Sequence, residues 1–181
     1  MNKALERSHQ ALHSFCIRPS VKFESQANDE EVLLVLRAHP ITQIPWIVNG
    51  IIFIVILIFL DFVFLGSLKV NQGFFINFLG IVFILSYLWF NFLGYFFNVG
   101  IVTDMRVIDI DFNAVIYKEF TDASLSKIED ITAKSGGYFA SIFDYGNIFT
   151  QTAGTEVNIE FLKVPKPSQV VSIINSLTRS E

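Results

Sequence analysis

Residues 46–65, WIVNGIIFIVILIFLDFVFL, and 74–97, FFINFLGIVFILSYLWFNFLGYFF, decide how this chain is read. Eight residues separate the two runs, and between Arg37 and Asp104 the only charged side chains are Asp61 and Lys69. A bilayer core of about 30 Å needs roughly 20 helical residues at about 1.5 Å each. Both runs meet that length. Each holds sixteen Ile, Leu, Val or Phe residues, and at about −0.3 to −0.6 kcal/mol apiece these favour insertion by on the order of 6 kcal/mol per helix. Asp61 opposes this by at most about 3 kcal/mol, and by less because it stands near the end of its run. An integral membrane protein with a helical hairpin over 44–97 is the expectation. Pro45 fits the opening turn, and Trp46 suits the headgroup layer.

The rest of the composition limits what can flank that hairpin. Of 181 residues, 52% are hydrophobic, and Phe alone accounts for 20. With the hairpin taken out, one small soluble domain remains. The net charge of −4 lacks the basic excess that nucleic acid demands, so no nucleic-acid partner is expected. Cys16 is the single cysteine, which excludes an internal disulfide framework. The first sixteen residues, MNKALERSHQALHSFC, have no apolar core of signal-peptide length. Lys and Arg number five before the hairpin, seven after it and one, Lys69, in the turn. A short turn with so little charge is the part that translocates, which puts both termini on the cytoplasmic side of a two-pass protein.

Outside the hairpin the pattern changes from long apolar runs to alternation. Residues 1–29 read as a short polar helix and a linker containing Pro19. Residues 30–40 hold a short apolar run, EVLLVLRAH, ended by Pro40; its β-branched content predicts a strand. In 106–112, Ile108, Ile110 and Phe112 share one face while Asp109 and Asp111 share the other, the signature of a half-buried strand. Further strands are expected over 115–120, 127–134, 146–152 and 155–162, with turns at Asn113 and at Ala153-Gly154. Val170, Val171, Ile174 and Leu177 make one stripe on a C-terminal helix over 167–178, which Ser168 could cap. The fold class is α+β: a membrane hairpin, a β-rich barrel or sandwich that the first strand would join, and a closing helix.

Several stretches carry a resemblance to a family. They are Glu30–Leu34 with Arg37 and His39-Pro40, then Val102–Val107, Ser124–Ile131, Phe143–Ile148 with Thr152–Gly154, and Val164–Pro167. In this order, with a hairpin between the first stretch and the others, the chain resembles the bacterial pleckstrin-homology-like (PH-like) membrane proteins over roughly residues 30–178. The resemblance implies a PH-like barrel or sandwich of two packed sheets, capped by the C-terminal helix and held at the cytoplasmic face of the bacterial inner (plasma) membrane. It also implies a binding module, not an enzyme, with no cofactor. Lipid-binding PH domains grip inositol phosphates with Lys and Arg clustered in an early strand–loop–strand. Here Val99–Phe120 offers only Arg106 and Lys118, which argues against phosphoinositide.

The candidate sites each have a plainer reading. His9, His13 and Cys16 fall at i, i+4 and i+7, a helical face of zinc-type donors, but no fourth ligand accompanies them and a solvated face explains them as well. Asp109 and Asp111 share a strand face that could meet a divalent cation, and the same spacing belongs to any solvent-facing strand. Asp61 is a candidate intramembrane polar site; its place near the turn favours contact with water or Lys69. Tyr138, Phe139, Ile142, Phe143 and Tyr145 form an apolar cluster that is expected to fill the core, with a partner- or membrane-contacting surface patch as the alternative. Gly80, Ser86 and Gly94 would suit helix–helix self-association in lipid. No catalytic grouping, phosphate-binding glycine loop or metal site emerges. The functional expectation is a membrane-anchored binding or assembly module whose partners are the lipid bilayer and a protein, or a second copy. The competing expectation is an accessory subunit of a transporter or channel, with Asp61, Asn77 and Asn91 in a polar path.

Overall fold

Val32–Leu36 and Val99–Thr103 flank the two apolar runs in sequence, yet they lie side by side as antiparallel strands. Val35 faces Ile101 and Leu36 faces Gly100 across the pair. A computed structural model describes residues 13–19, 23, 25–64, 66–113, 117–153 and 158–178. In chain order its elements are β1 (Phe15–Ile17), β2 (Val32–Leu36), a 3-10 turn (Pro40–Gln43), α1 (Ile44–Val63), α2 (Val70–Phe97), β3 (Val99–Thr103), β4 (Arg106–Asn113) and β5 (Tyr117–Ser124). After a second 3-10 turn (Leu125–Lys127) come β6 (Ile128–Lys134), α3 (Tyr138–Phe143), β7 (Tyr145–Thr152), β8 (Ile159–Pro165) and α4 (Pro167–Thr178).

The strands form two antiparallel meanders, β1-β2-β3-β4-β5 and β6-β7-β8. Between them lies the main core. Leu34, Leu36, Val102 and Val107 come from the first sheet, Ile148, Ile159, Phe161 and Val164 from the second, and Val170 and Ile174 of α4 close it. These ten side chains are at most 2% exposed, which is why α4 needs only a narrow apolar stripe. A smaller cluster covers the other face of the first sheet, where Cys16, Val32, Val35, Ile101 and Ile108 pack with Phe23 and Ile110.

α1 and α2 are long and apolar enough to cross a membrane, and only 6% of the most apolar window of each is buried within the protein. They touch each other through close approaches at glycine. A methyl group on Gly50 would lie 2.6 Å from Leu88, and one on Gly80 would lie 2.6 Å from Leu57. Phe53 sets its ring edge-on against Phe83 and Tyr87. Gly80 therefore serves packing inside the hairpin. The Ser86 hydroxyl turns back to donate to the Val82 carbonyl, as isolated helical serines do.

The structure departs from the sequence reading at several places. Phe15–Ile17, within the stretch read as polar helix and linker, is a strand, pairing Cys16 with Val35. The helical spacing that put His9, His13 and Cys16 on one face thus fails at Cys16, which is buried; its thiol points to the His13 carbonyl at 3.7 Å. His9 lies outside the described residues. Strand β3 begins at Val99, a strand that the sequence reading did not locate, and the described residues form eight strands. β5 continues to Ser124, four residues past its expected end.

An ion pair fastens the segment before the hairpin to the strands after it. Glu30 has no exposed side-chain surface, and its two oxygens accept from Arg106 Nε at 2.9 Å and Nη2 at 3.0 Å. The Ala27 amide donates to the same carboxylate. Arg106 also reaches Asp122 at 3.2 Å, donates to the Ser25 carbonyl at 2.7 Å and lies over the Phe23 ring. The fork geometry of guanidinium against carboxylate makes such pairs directional as well as strong. Hydrogen bonding from Arg106 outweighs the burial that opposes it and holds the Glu30 carboxyl at about 2.

Two predictions test this framework. Glu30→Gln removes the buried counter-charge of Arg106 and leaves it only the exposed Asp122, and should destabilise the domain by about 3 kcal/mol, as when one partner of a buried pair is removed. Glu30 titrates below its ordinary value of 4.5, so the stability it contributes is present above that pH and is lost as pH falls toward 2. Acid unfolding of the wild type should show that loss, and Glu30→Gln should lack it. Gly100→Ala would place a methyl group 2.5 Å from the Phe161 ring, which cannot swing aside within the core. An overpacking loss of roughly 1–3 kcal/mol is expected in denaturant titration.

Candidate functional site

Where the two sheets meet the feet of the helices, the core opens into a cleft of about 520 Å³. The chain passes this point twice, from β2 through Arg37–His39 into α1, and from α2 through Asn98 into β3. Thr42 and Gln43 line it from the first 3-10 turn, Trp46 from α1, Asn91, Gly94 and Tyr95 from α2, and Asp109, Asp111, Glu160 and Lys163 from β4 and β8. Its walls are braced. The Trp46 indole donates to Gln43 at 2.8 Å, Asn91 donates to the Tyr87 carbonyl, and the Phe112 amide donates to Asn98 Oδ1 at 2.6 Å. The Arg37 guanidinium lies over the Phe96 ring at 5.1 Å.

The two aspartates reach this cleft for a reason that alternation alone concealed. Val107, Asp109 and Asp111 share one face of β4, and Val107 is in the main inter-sheet core. The acids continue that inward face to the point where the core opens. The other face, with Ile108 and Ile110, is also apolar because the N-terminal segment covers it. The expectation of a solvent-facing acidic strand is thereby corrected. Burial, and next the neighbouring charge of Asp111, push Asp109 up to about 7. Burial and then Glu119 raise Asp111 in turn. Among the described residues no three His, Cys, Asp or Glu side chains are grouped to hold a metal ion.

The apolar cluster of 138–145 divides into two roles. Gly137, at φ 91°, turns the chain out of β6, and Asp144, at φ 50°, ends the single helical turn and a half of α3. Ala140 faces inward, whereas Tyr138, Phe139 and Ile142 are 89%, 71% and 72% exposed. Core filling was the expectation, and these three overturn it. A six-residue helix on the rim of a sheet has only one inward position, and the small Ala140 takes it. Phe143 and Tyr145 instead meet His39, with ring centroids 6.4 and 5.7 Å away. His39 accepts the Ile41 amide on Nδ1, and its own amide donates to the Lys163 carbonyl at 2.7 Å. Burial lowers its pKa, which keeps that nitrogen available as an acceptor.

Of the proposed polar path, Asn91 lines the cleft, whereas Asp61 and Asn77 lie apart from it. Asp61 accepts a 2.7 Å hydrogen bond from Asn77 across the hairpin, so its neighbour is Asn77 where Lys69 was expected. Asn91 follows Asn77 by fourteen residues, about 21 Å along a helix, and its amide is bonded to its own helix. Arg106, the one basic side chain of the early strands available for comparison with lipid-binding PH domains, is committed to Glu30 and Asp122. The side chain of Lys118 lies outside the described residues.

The family model described as Bacterial PH domain matches residues 41–178. The chain belongs to the bacterial PH domain family. The match covers both helices, β3 to β8 and α4, and starts after β2, which the structure shows to be a full member of the first sheet. No curated protein and no solved structure matches the chain. Domains of the PH-like type are generally non-catalytic binding modules. In this bacterial PH domain the missed elements are β1 and the pairing of Glu30 with Arg106; β1 and Glu30 both precede the matched residues. The motifs Glu30–Leu34 and Val102–Val107 contained both ends of that ion pair, but 76 residues separate them and no local pattern joins them.

Asp109 yields a pH test. A carboxyl raised in the folded state subtracts stability as pH climbs from its ordinary 3.8 through about 7. Asp109→Asn should therefore raise the melting midpoint at pH 8 by about 3 °C, discounted for partial solvent exposure. The gain should vanish near pH 4, which scanning fluorimetry of the purified protein can follow.

Proposed function

We propose that this bacterial PH domain protein is a membrane-anchored binding or assembly module at the cytoplasmic face of the inner membrane, without catalytic activity. One observation carries the reading: α1 and α2 expose apolar side chains along nearly their whole length, with Ile58, Phe62, Phe74 and Phe83 all more than 60% exposed. A soluble protein rarely leaves a contiguous apolar surface of that extent in water. A bilayer supplies its natural cover. The Lys and Arg distribution supports cytoplasmic placement of both termini, because the turn carries only Lys69.

An anchored domain meets its partner at a raised local concentration, so a modest intrinsic affinity suffices. The first sheet ends at β5, which pairs only with β4 among the described residues. Phe120 on that strand is 43% exposed. An extended peptide could add there as a further strand, with main-chain hydrogen bonds giving affinity and Phe120 a side-chain contact. The support for this mode is the open edge and the exposed ring together.

Fusion reporters test the anchorage. Fluorescent protein fused to either end of the full chain should fluoresce, alkaline phosphatase inserted between Gly66 and Gly73 should be active, and carbonate washing should leave the protein in the membrane pellet. The inverted reporter pattern, or release by carbonate, rejects the proposal. A photo-crosslinking residue at Phe120 should then yield discrete protein adducts in cells, and a smear or no adduct rejects the binding edge.

A further inference from the structure

We infer that α3 is a third membrane contact, an interfacial wedge whose Tyr138, Phe139 and Ile142 enter the headgroup layer beside α1. The inference rests on the proposed anchorage and adds to it a fixed side of the domain that lies against lipid. At about 100° per residue, Tyr138, Ile142 and Phe139 span roughly 100° of the helix surface, opposite the buried Ala140. All three side chains are more than 70% exposed. That is a small amphipathic face with its apolar side outward.

Its location says what covers it. His39 packs on Phe143 and Tyr145 at the base of α3, and the 3-10 turn into α1 starts at the next residue. Ile44, the first exposed apolar residue of α1, follows His39 by five positions. That is about 9 Å of helical rise. Interfacial helices bury their apolar faces about 5–10 Å deep, so the offset suits a wedge standing at the foot of the hairpin. Leu162, 52% exposed, carries the apolar surface from β8 into the cleft beside Trp46. Through His39 the base of α3 is therefore tied to the foot of the helices that the bilayer would cover.

Charge points the same way. Lys134, whose ammonium lies over the Phe149 ring, precedes α3, Lys163 stands near the end of β8 and Lys166 just after it; all three are exposed. Lys163 is held beside the foot of α1 by its carbonyl, which accepts from His39, and Lys166 is tied to the end of α3 through the Asp144 carbonyl. From Lys134 to Gln151 the one acidic residue is Asp144, at the end of α3. Exposed lysines flanking an apolar helix are what an anionic headgroup layer attracts. They are less suited to an apolar protein groove, where they would lose hydration without a counter-charge.

The full chain, with Cys16→Ala as background, can carry an environment-sensitive fluorophore on single cysteines. Phe139→Cys and Ile142→Cys probe the wedge, Phe83→Cys the middle of α2, and Met105→Cys the opposite end of the domain. In vesicles of phosphatidylethanolamine and phosphatidylglycerol, nitroxide lipids labelled at headgroup or mid-chain depth read the position of each. Labels at 139 and 142 should blue-shift and lose intensity to the headgroup nitroxide more than to the mid-chain one. The label at 83 should respond to the mid-chain nitroxide, and that at 105 to neither. A response at 83 with none at 139 and 142, both open to iodide, overturns the wedge while the anchorage stands. Labels at 139 and 142 shielded from iodide and lipid alike would mean a second copy covers α3, which also overturns it. Silence at 83 removes the anchorage, and the wedge with it.

Discussion

The pairing of β2 with β3 is the constraint on which the rest of the architecture depends. Neighbouring strands lie about 4.8 Å apart, and packed antiparallel helices about 8–10 Å apart. A chain that leaves the sheet at Leu36 and returns at Val99 must bring both helix feet back to nearly the same place. Gly50 and Gly80 make that compatible with close helix packing, since each lets a leucine of the other helix approach. The hairpin is therefore an insertion between adjacent strands, and the domain cannot rotate freely about it. Any face of the domain keeps a fixed relation to the helix axis.

Two polar features mark the ends of that sheet, and their electrostatics differ in kind. At the end remote from the helices, Glu30 is buried but ionised, because Arg106 meets both of its oxygens. At the foot of the helices, Asp109 and Asp111 are turned inward without such a partner among the described residues, and Asp109 is raised to about 7. The first arrangement supports the fold; the second costs stability at neutral pH. Proteins tolerate such a cost most readily where a site is exposed to a ligand or to another surface. Its position at the mouth of the core, facing Trp46 and Tyr95, places it where domain and hairpin meet.

Parts of the site were unreadable in sequence for definite physical reasons. Alternation along 106–112 showed that the aspartates oppose the isoleucines, but not which face is inward. Both faces of β4 are covered, one by the second sheet and one by the N-terminal segment. Only that double cover turns the acids toward the core mouth. Phe15–Ile17 is too short for its period to show, and it becomes a strand because β2 offers an open edge. The aromatics of 138–143 were expected inside on hydrophobicity, which counts apolar area but not the side of a short helix that a sheet can reach.

The sequence by itself determined the two long apolar helices, the strands at 32–36, 106–112, 128–134 and 146–152, and the closing helix at 167–178. Each has a local period or run length that no neighbour overrides. It determined the family resemblance as well, since the motifs follow one another in order. Tertiary structure alone decided that β2 pairs across the helices, that Glu30 meets Arg106, that the acids face inward and that α3 shows its aromatics outward. Those outcomes depend on contacts between residues far apart in the chain, and their energies exist only once both partners have been brought together.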